Sequence, residues 1–282
     1  MSYQISDGAV HILAGLLEAR TGQQLAVGRR WRIDTALRPL LAEVRASSLD
    51  DLAHRVVAGR DPMLADKVIE ALLNHETSFC RDARAFQQLA ELGFGRLHEA
   101  RRETRRLRVW SAGCATGQEA YTLAMLFADE PERWADWHID ILGTDLSAAA
   151  IERARSGVYT HFEVQRGLPI AQMLRRFEQR DGQWRVEAAL RRMVRFQVHN
   201  LLDAPPAGRF DAVLCRNVLL YFAGDMRRLV FGRIASAIAQ DGALMLGAGE
   251  TTMGQTDQFV SDYSCRGLYR PRVEPPRQAA AS

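Results

Sequence analysis

Between residues 5 and 73 the apolar residues recur at helical spacing: Val10, Leu13, Leu16 and Leu17; Ile33, Leu37, Leu40 and Leu41; Leu49, Leu52, Val56 and Val57; Leu64, Val68, Leu72 and Leu73. Each set falls on one face of a helix, so the stretch predicts a bundle of short helices. Thr21-Gly22 stops the first helix, Ser48 and Asp50 resemble a cap for the third, and Asp61-Pro62 opens the fourth with proline where a helix start tolerates it. The pattern assigns residues 1–74 to an all-α domain with its boundary near Asn74. From Leu107 onward the pattern changes to short apolar runs alternating with helical segments. The runs are Leu107 to Ser111, His138 to Thr144, Met193 to Val198, Ala212 to Cys215 and Ala243 to Leu246, as parallel strands covered on both faces would read. Helices fit Glu119 to Asp129, Ala148 to Ser156 and Asp225 to Gln240, giving an α/β domain over 75–270. Phe259 to Tyr269 alternates weakly and suits closing antiparallel strands. Residues 271–282 read as a disordered tail. The interval from Gly157 to Arg192 is too long for a simple connection. It holds a helical piece, Ile170 to Phe177, and a hairpin signal at Asp181-Gly182 backed by Trp184 and Val186, and so predicts a small inserted β-subdomain over 157–192.

The strand-to-helix passage Val109-Trp110-Ser111-Ala112-Gly113-Cys114-Ala115-Thr116-Gly117-Gln118-Glu119, followed by Ile141-Leu142-Gly143-Thr144-Asp145, carries the candidate chemistry. Small residues at Gly113, Ala115 and Gly117 let backbone approach a ligand, and Asp145 at a strand end is placed to accept hydrogen bonds from a ribose diol. A dinucleotide fingerprint needs G-x-G-x-x-G, and the three positions here read Gly113, Ala115 and Gln118. Glu119 at the helix start repels a diphosphate and suits a cationic amino group. The pocket therefore favours S-adenosylmethionine, with an ammonium, a sulfonium and no phosphate. An ordinary strand-loop-helix with Glu119 as a favourable N-terminal charge remains the plain alternative.

Composition narrows the class. With 282 residues, 47% of them hydrophobic, the chain can bury the core of one α/β domain and a smaller partner. No run reaches a membrane span and the first residues lack a secretory signal, so the expected location is cytoplasmic, without membrane insertion. Cys80, Cys114, Cys215 and Cys265 are dispersed without metal-ligand spacing; no metal site is indicated. Net charge is only +3, yet arginines cluster at Arg29, Arg30, Arg32, Arg38 and Arg45, and again at Arg101, Arg102, Arg105, Arg106 and Arg108. Each cluster is either a solvated face or a surface for an acidic partner. No aromatics interleave with them as a nucleic-acid stacking platform requires.

The chain resembles the CheR family, chemotaxis methyltransferases that esterify receptor glutamates using S-adenosylmethionine and release S-adenosylhomocysteine. The resemblance rests on His75-Glu76-Thr77-Ser78-Phe79-Cys80-Arg81-Asp82, Gly113 to Tyr121, Ala154-Arg155-Ser156-Gly157-Val158-Tyr159, Asn200-Leu201-Leu202, and Phe210 to Phe222, five motifs in order along nearly the whole chain. It implies a Rossmann-like class I methyltransferase sheet with an N-terminal all-α domain and a small inserted β-subdomain. It also implies that Gly113, Ala115, Gly117, Glu119, Asp145, Asn200, Leu201 and Asn217 line the cofactor site, with Thr77 and Arg81 in a segment that closes over it. Arg81 and Tyr221 would lie nearest the transferred methyl, while Arg216 is either a lining or a structural residue. Arg29, Arg30, Arg32 and Arg38 would dock the cytoplasmic helical domain of a methyl-accepting chemoreceptor. Family members that bind a receptor pentapeptide tether carry extra glycines in the inserted turn. Here only Gly182 is present, so tether dependence is not expected, and the chain is expected to act as a monomer.

Several positions depart from the family pattern. T-N-E-T becomes Asn74-His75-Glu76-Thr77, Cys80 replaces a phenylalanine, Gln118 and Ala120 replace the Glu and Pro of G-E-E-P, and G-x-S-E becomes Gly247-Ala248-Gly249-Glu250. These departures leave room for a competing reading, a non-catalytic cofactor-binding scaffold; a small-molecule methyltransferase is a further alternative, disfavoured because it would give the arginine-rich helical domain no task.

Overall fold

The computed structural model describes residues 5–25, 30–262 and 265–273. The chain divides into two compact units, residues 1–75 with 221–226, and residues 76–220 with 227–282. The first unit contains α1 (Asp7–Thr21), α2 (Arg30–Glu43), α3 (Leu49–Ala58) and α4 (Pro62–Leu72). Capping follows the sequence. The Ser48 side chain accepts from the Asp51 amide, Asp61 accepts from Met63 ahead of Pro62, and Gly22 ends α1 in the left-handed region at φ 71°. Leu13, Leu17, Ile33, Leu37, Leu52, Leu64 and Val68 form the core of this unit, whereas Val57, at the edge of its stripe, is exposed. The stretch 221–226, which the sequence groups with the α/β domain, belongs here: Phe222 bridges Gln23, and the Gln24 amide donates to the Tyr221 carbonyl.

In the second unit α5 (Ala83–Gln88) and α6 (Phe94–Ala100) flank a π-helical turn, Leu89–Gly93. Sequence reading missed all three. Phe86, Leu89, Phe94 and Leu97 are buried, but the wider π-turn inserts an extra step between Leu89 and Phe94 and breaks the regular helical period. There follow β1 (Arg106–Ala112), α7 (Gln118–Asp129), α8 (Pro131–Trp134), β2 (His138–Asp145) and α9 (Ala148–Ser156). Next come β3 (Val158–Thr160), α10 (His161–Gln165), α11 (Ile170–Arg176), β4 (Phe177–Arg180), β5 (Gln183–Val186) and α12 (Ala188–Met193). The last elements are β6 (Val194–Val198), β7 (Phe210–Cys215), α13 (Gly224–Ala237), β8 (Ile238–Leu246), β9 (Phe259–Ser261) and β10 (Leu268–Pro271).

Seven strands make one sheet in the order β6-β2-β1-β7-β8-β10-β9, parallel through β8 and antiparallel at β10 and β9. This is the α/β architecture that the alternating pattern predicts. The order reverses between β1 and β7, which places a ligand crevice at the carboxyl ends of those two strands. The strands β3-β5-β4 form a separate antiparallel sheet around the Asp181-Gly182 turn.

Several boundaries differ from the sequence reading. The helix assigned to Asp225–Gln240 stops at Ala237, because Ile238 already pairs with Phe210; a register irregularity around Asp241-Gly242 then restores pairing at Ala243. Pro271, assigned to the tail, closes β10 opposite Phe259, while residues 274–282 lie outside the described residues.

Most of the second arginine cluster is absorbed into ion pairs within the chain. Arg101 bridges Asp211 (2.8 Å) and Asp241 (2.7 Å), Arg105 meets Asp136 (3.0 Å), Arg102 meets Glu99 (2.9 Å), and Asp140 lies between Arg108 (3.3 Å) and Arg195 (2.8 Å). The Arg101 hydrogen bond holds Asp241 below the usual carboxylate range. Burial by itself would raise Asp140, but hydrogen bonds from Arg195 and Arg108 outweigh it and the net shift is downward. Among the described residues no helix is long and apolar enough to cross a membrane.

Candidate active site

β1 delivers its chain into the loop 113–117 at the point where the strand order reverses. Gly113, Ala115 and Gly117 all have positive φ, at 79°, 47° and 94°. A Cβ at Gly113 would stand 2.4 Å from Val218 Cγ2, and one at Gly117 2.8 Å from Ala154 Cβ, so these glycines answer to the protein's own packing. The amides of Gly113 and Cys114 both donate to the Thr144 carbonyl, at 2.8 and 2.9 Å. Asp145 completes the junction by accepting from the Ala115 amide (2.8 Å) on one carboxylate oxygen and from the Ser147 amide (3.0 Å) on the other. Those bonds use about two of a carboxylate's four lone-pair sites. One acceptor site per oxygen remains for a vicinal diol.

Glu119, in the first turn of α7, accepts from Ser111 Oγ (2.8 Å) and pairs with Arg216 (3.2 Å). The Arg216 side chain is only 2% exposed. It also bonds Asp82 (2.6 Å) and the Arg81 carbonyl (3.1 Å), and its guanidinium lies over the Phe86 ring at 5.0 Å. Arg216 thus joins the 81–82 segment to the start of α7.

Arg81 stands between two residues with left-handed backbone, Cys80 (φ 49°) and Asp82 (φ 62°). Such conformations persist only where surroundings enforce them. Four contacts do so. The Cys80 amide donates to Thr122 Oγ1 (3.1 Å), Phe79 packs edge-on against Tyr159 (5.0 Å) and Phe177 (5.3 Å), and Arg166 pairs with Glu76. Gly167 fits against the Phe79 carbonyl so closely that a Cβ would fall 2.0 Å from that oxygen. Elements of the insertion thus grip the segment carrying Thr77 and Arg81. Arg81 itself meets the Glu76 carboxylate at 3.2 Å.

Beyond β6, Asn200 Oδ1 accepts from the Leu202 amide (3.0 Å), and Leu201 is buried. His199, which nothing in the sequence singles out, donates its amide to the Asp145 carbonyl and sets its ring beside Trp110; burial lowers its pKa and favours the neutral ring. Asn217 sits at φ 59° just after β7. Cys114 and Cys215, in the loop and at the end of β7, are free and buried, and desolvation pushes both thiols well above their ordinary range, with Glu119 adding to it in both cases.

The remaining sequence candidates fall in the helical unit. Tyr221 accepts from Asn74 Nδ2, and the Arg32 guanidinium lies 5.8 Å from its ring centroid. Arg32 also donates to the Leu72 carbonyl (3.3 Å), and Arg38 pairs with Asp34. Arg29 lies outside the described residues, as does the side chain of Arg30.

Residues 75–265 match the family described as CheR methyltransferase, SAM binding domain. The chain belongs to the CheR methyltransferase family. It is 34% identical over 259 residues to a chemotaxis protein methyltransferase of Vibrio parahaemolyticus, spanning 90% of this chain and 93% of that one. Chemotaxis protein methyltransferase 1 of Pseudomonas aeruginosa is 33% identical over 86% of this chain and 90% of its own. The Escherichia coli chemotaxis protein methyltransferase is 31% identical over 87% and 85%. This CheR-family chain is a methyltransferase with S-adenosylmethionine as its cofactor. The residues present fit that group: Asp145 retains acceptors for a diol, and Glu119, with one oxygen on Ser111 and the other on Arg216, stands at a helix start with no phosphate-binding glycine pattern behind it.

Proposed function

We propose that the protein esterifies glutamate side chains of methyl-accepting chemoreceptors, with Asp145 holding the cofactor ribose, Glu119 its ammonium, and Asn200 and Leu201 its adenine. The observation that carries the reading is the pair of carboxylates, Asp145 and Glu119, fixed by backbone and side-chain donors at the reversal of strand order, in a chain similar over about nine-tenths of its length to chemotaxis methyltransferases. When bound, S-adenosylmethionine would supply an electrophilic methyl on a sulfonium for transfer to a glutamate oxygen. A glutamate of ordinary pKa near 4.3 is already ionised at neutral pH, so no strong base is required. The protein's work is alignment and exclusion of water from the nucleophile. Arg81 would meet the cofactor carboxylate or the incoming glutamate, with Thr77 beside it, and Tyr221 would orient an acceptor oxygen. Asn217 would line the site. Arg32 and Arg38, with Arg29 and Arg30, would face an acidic helical surface of the receptor, and the enzyme would work in the cytoplasm as a monomer without a pentapeptide tether.

The test has two arms. Receptor-containing membranes incubated with methyl-labelled donor should acquire label released by mild base, as an ester is. Calorimetric titration with S-adenosylhomocysteine should show Asp145→Ala weakened by about 2 kcal/mol, the loss of two hydrogen bonds to a charged acceptor. Binding without ester formation on any receptor would favour a scaffold; unchanged affinity in Asp145→Ala would remove the ribose assignment.

A further inference from the structure

We infer that Glu250 is a positioning residue of the cofactor pocket, latching the loop after β7 against the glycine loop after β1. The inference rests on the cofactor assignment and not on the identity of the methyl acceptor.

One carboxylate here gathers five backbone amides. Its Oε2 accepts from Asn217 (2.7 Å) and Gly247 (2.8 Å), and its Oε1 from Val218 (2.9 Å), Leu219 (2.8 Å) and Leu220 (3.3 Å). The local chain explains why so many donors converge. β7 ends at Cys215, Asn217 turns the chain in the left-handed region, and a short 3-10 turn starts at Leu219, so successive amides point to one side with no carbonyl partner. Such a concavity attracts an anion. Glu250, from the loop after β8, fills it.

Two consequences reach the cofactor. Val218, whose amide is tied to Glu250, is the residue that leaves no room for a Cβ at Gly113. The latch therefore sets the packing of the loop whose next amides bind Thr144 and Asp145. In addition, this anion hole is closed to the carboxylate of the cofactor itself. Gly247 is part of the device: a Cβ there would lie 2.8 Å from Glu250 Oε2 and 2.9 Å from both Asn217 nitrogens.

Glu250→Gln keeps size but puts an amino group against a wall of N–H donors, so at least two of the five bonds are lost. Gly247→Ala leaves the carboxylate intact and wedges the latch open. The prediction is that each variant, at a temperature where its melt shows it folded, binds S-adenosylhomocysteine at least about tenfold more weakly than wild type. The KM for the methyl donor should rise in parallel and kcat should fall. A purely stabilising role would lower the melting temperature and leave affinity alone, so folded variants within about twofold of wild-type affinity overturn the inference. Hydrogen exchange on wild type supplies a readout independent of any variant. The amides of 217–220 should be protected in the free protein, and free exchange at all four would overturn the latch. Failure to esterify any receptor would leave this inference standing, because its measurements need only the cofactor product.

Discussion

Replacing Arg216 with methionine would leave two carboxylates, Glu119 and Asp82, facing the volume of a lost guanidinium. Breaking a buried pair by removing one partner costs roughly 3–5 kcal/mol, and the half-exposed Asp82 places this case near the lower end. Arg216→Met should therefore lose about 3 kcal/mol in urea unfolding. Glu119→Gln in the same background should recover part of it, with a coupling of about 1 kcal/mol or more. Additive losses would show that the two side chains are energetically independent. Sequence made Glu119 and Asp145 legible because each stands at a fixed place relative to a strand end or a helix start. It could not reveal that Glu119 already has a guanidinium neighbour, since Arg216 is remote in the chain and its burial is a tertiary fact. Glu250 was visible only as the last residue of an altered motif; its five donors belong to backbone turns that no side-chain pattern announces.

Among the elements, strands and amphipathic helices could be read because periodicity survives in them. The region 83–100 could not, since a π-turn shifts the apolar face between Leu89 and Phe94. The inserted strands were signalled by Asp181-Gly182, but their service to the neighbouring segment was not. Phe79 lies edge-on between Tyr159 and Phe177, so the insertion supports the backbone on which Thr77 and Arg81 are mounted. Phe79→Leu keeps an apolar side chain and loses both ring contacts. It should destabilise the fold by roughly 1–2 kcal/mol and weaken S-adenosylhomocysteine binding measurably in calorimetry. Loss of stability with unaltered affinity would mean that the insertion does not act on the cofactor segment.

Over the whole molecule, two kinds of titrating group set the response to acid. Asp241 and Asp140 have depressed folded pKa values, so their contribution is complete above the unfolded value near 4 and is lost as pH falls through the folded values. His199 is depressed by burial, so its share is present above about pH 6.5 and shrinks as pH falls through its folded value. Thermal unfolding should thus be flat only between about pH 7 and about pH 8, decline slightly below about pH 6.5 and fall steeply below about pH 4, and it should decline again above about pH 8.5, where the raised Cys114 and Cys215 thiols stay protonated in the fold but ionise in the unfolded chain. His199→Gln should remove the first decline; its persistence would assign it to another group. The return of Tyr221–Met226 to the helical unit is likewise a property of the whole chain, because nothing in that hexapeptide tells which partner it joins.

The buried cysteines bear on the chemistry in a different way. A sulfonium methyl reacts faster with a thiolate than with a carboxylate, and Cys114 lies in the loop after β1 while Cys215 ends β7. Burial beside Glu119 keeps the proton on both sulfurs, and a protonated thiol is a poor nucleophile. On the proposed reading of the site, methyl transfer to these two sulfurs is thereby disfavoured relative to transfer to an acceptor carboxylate.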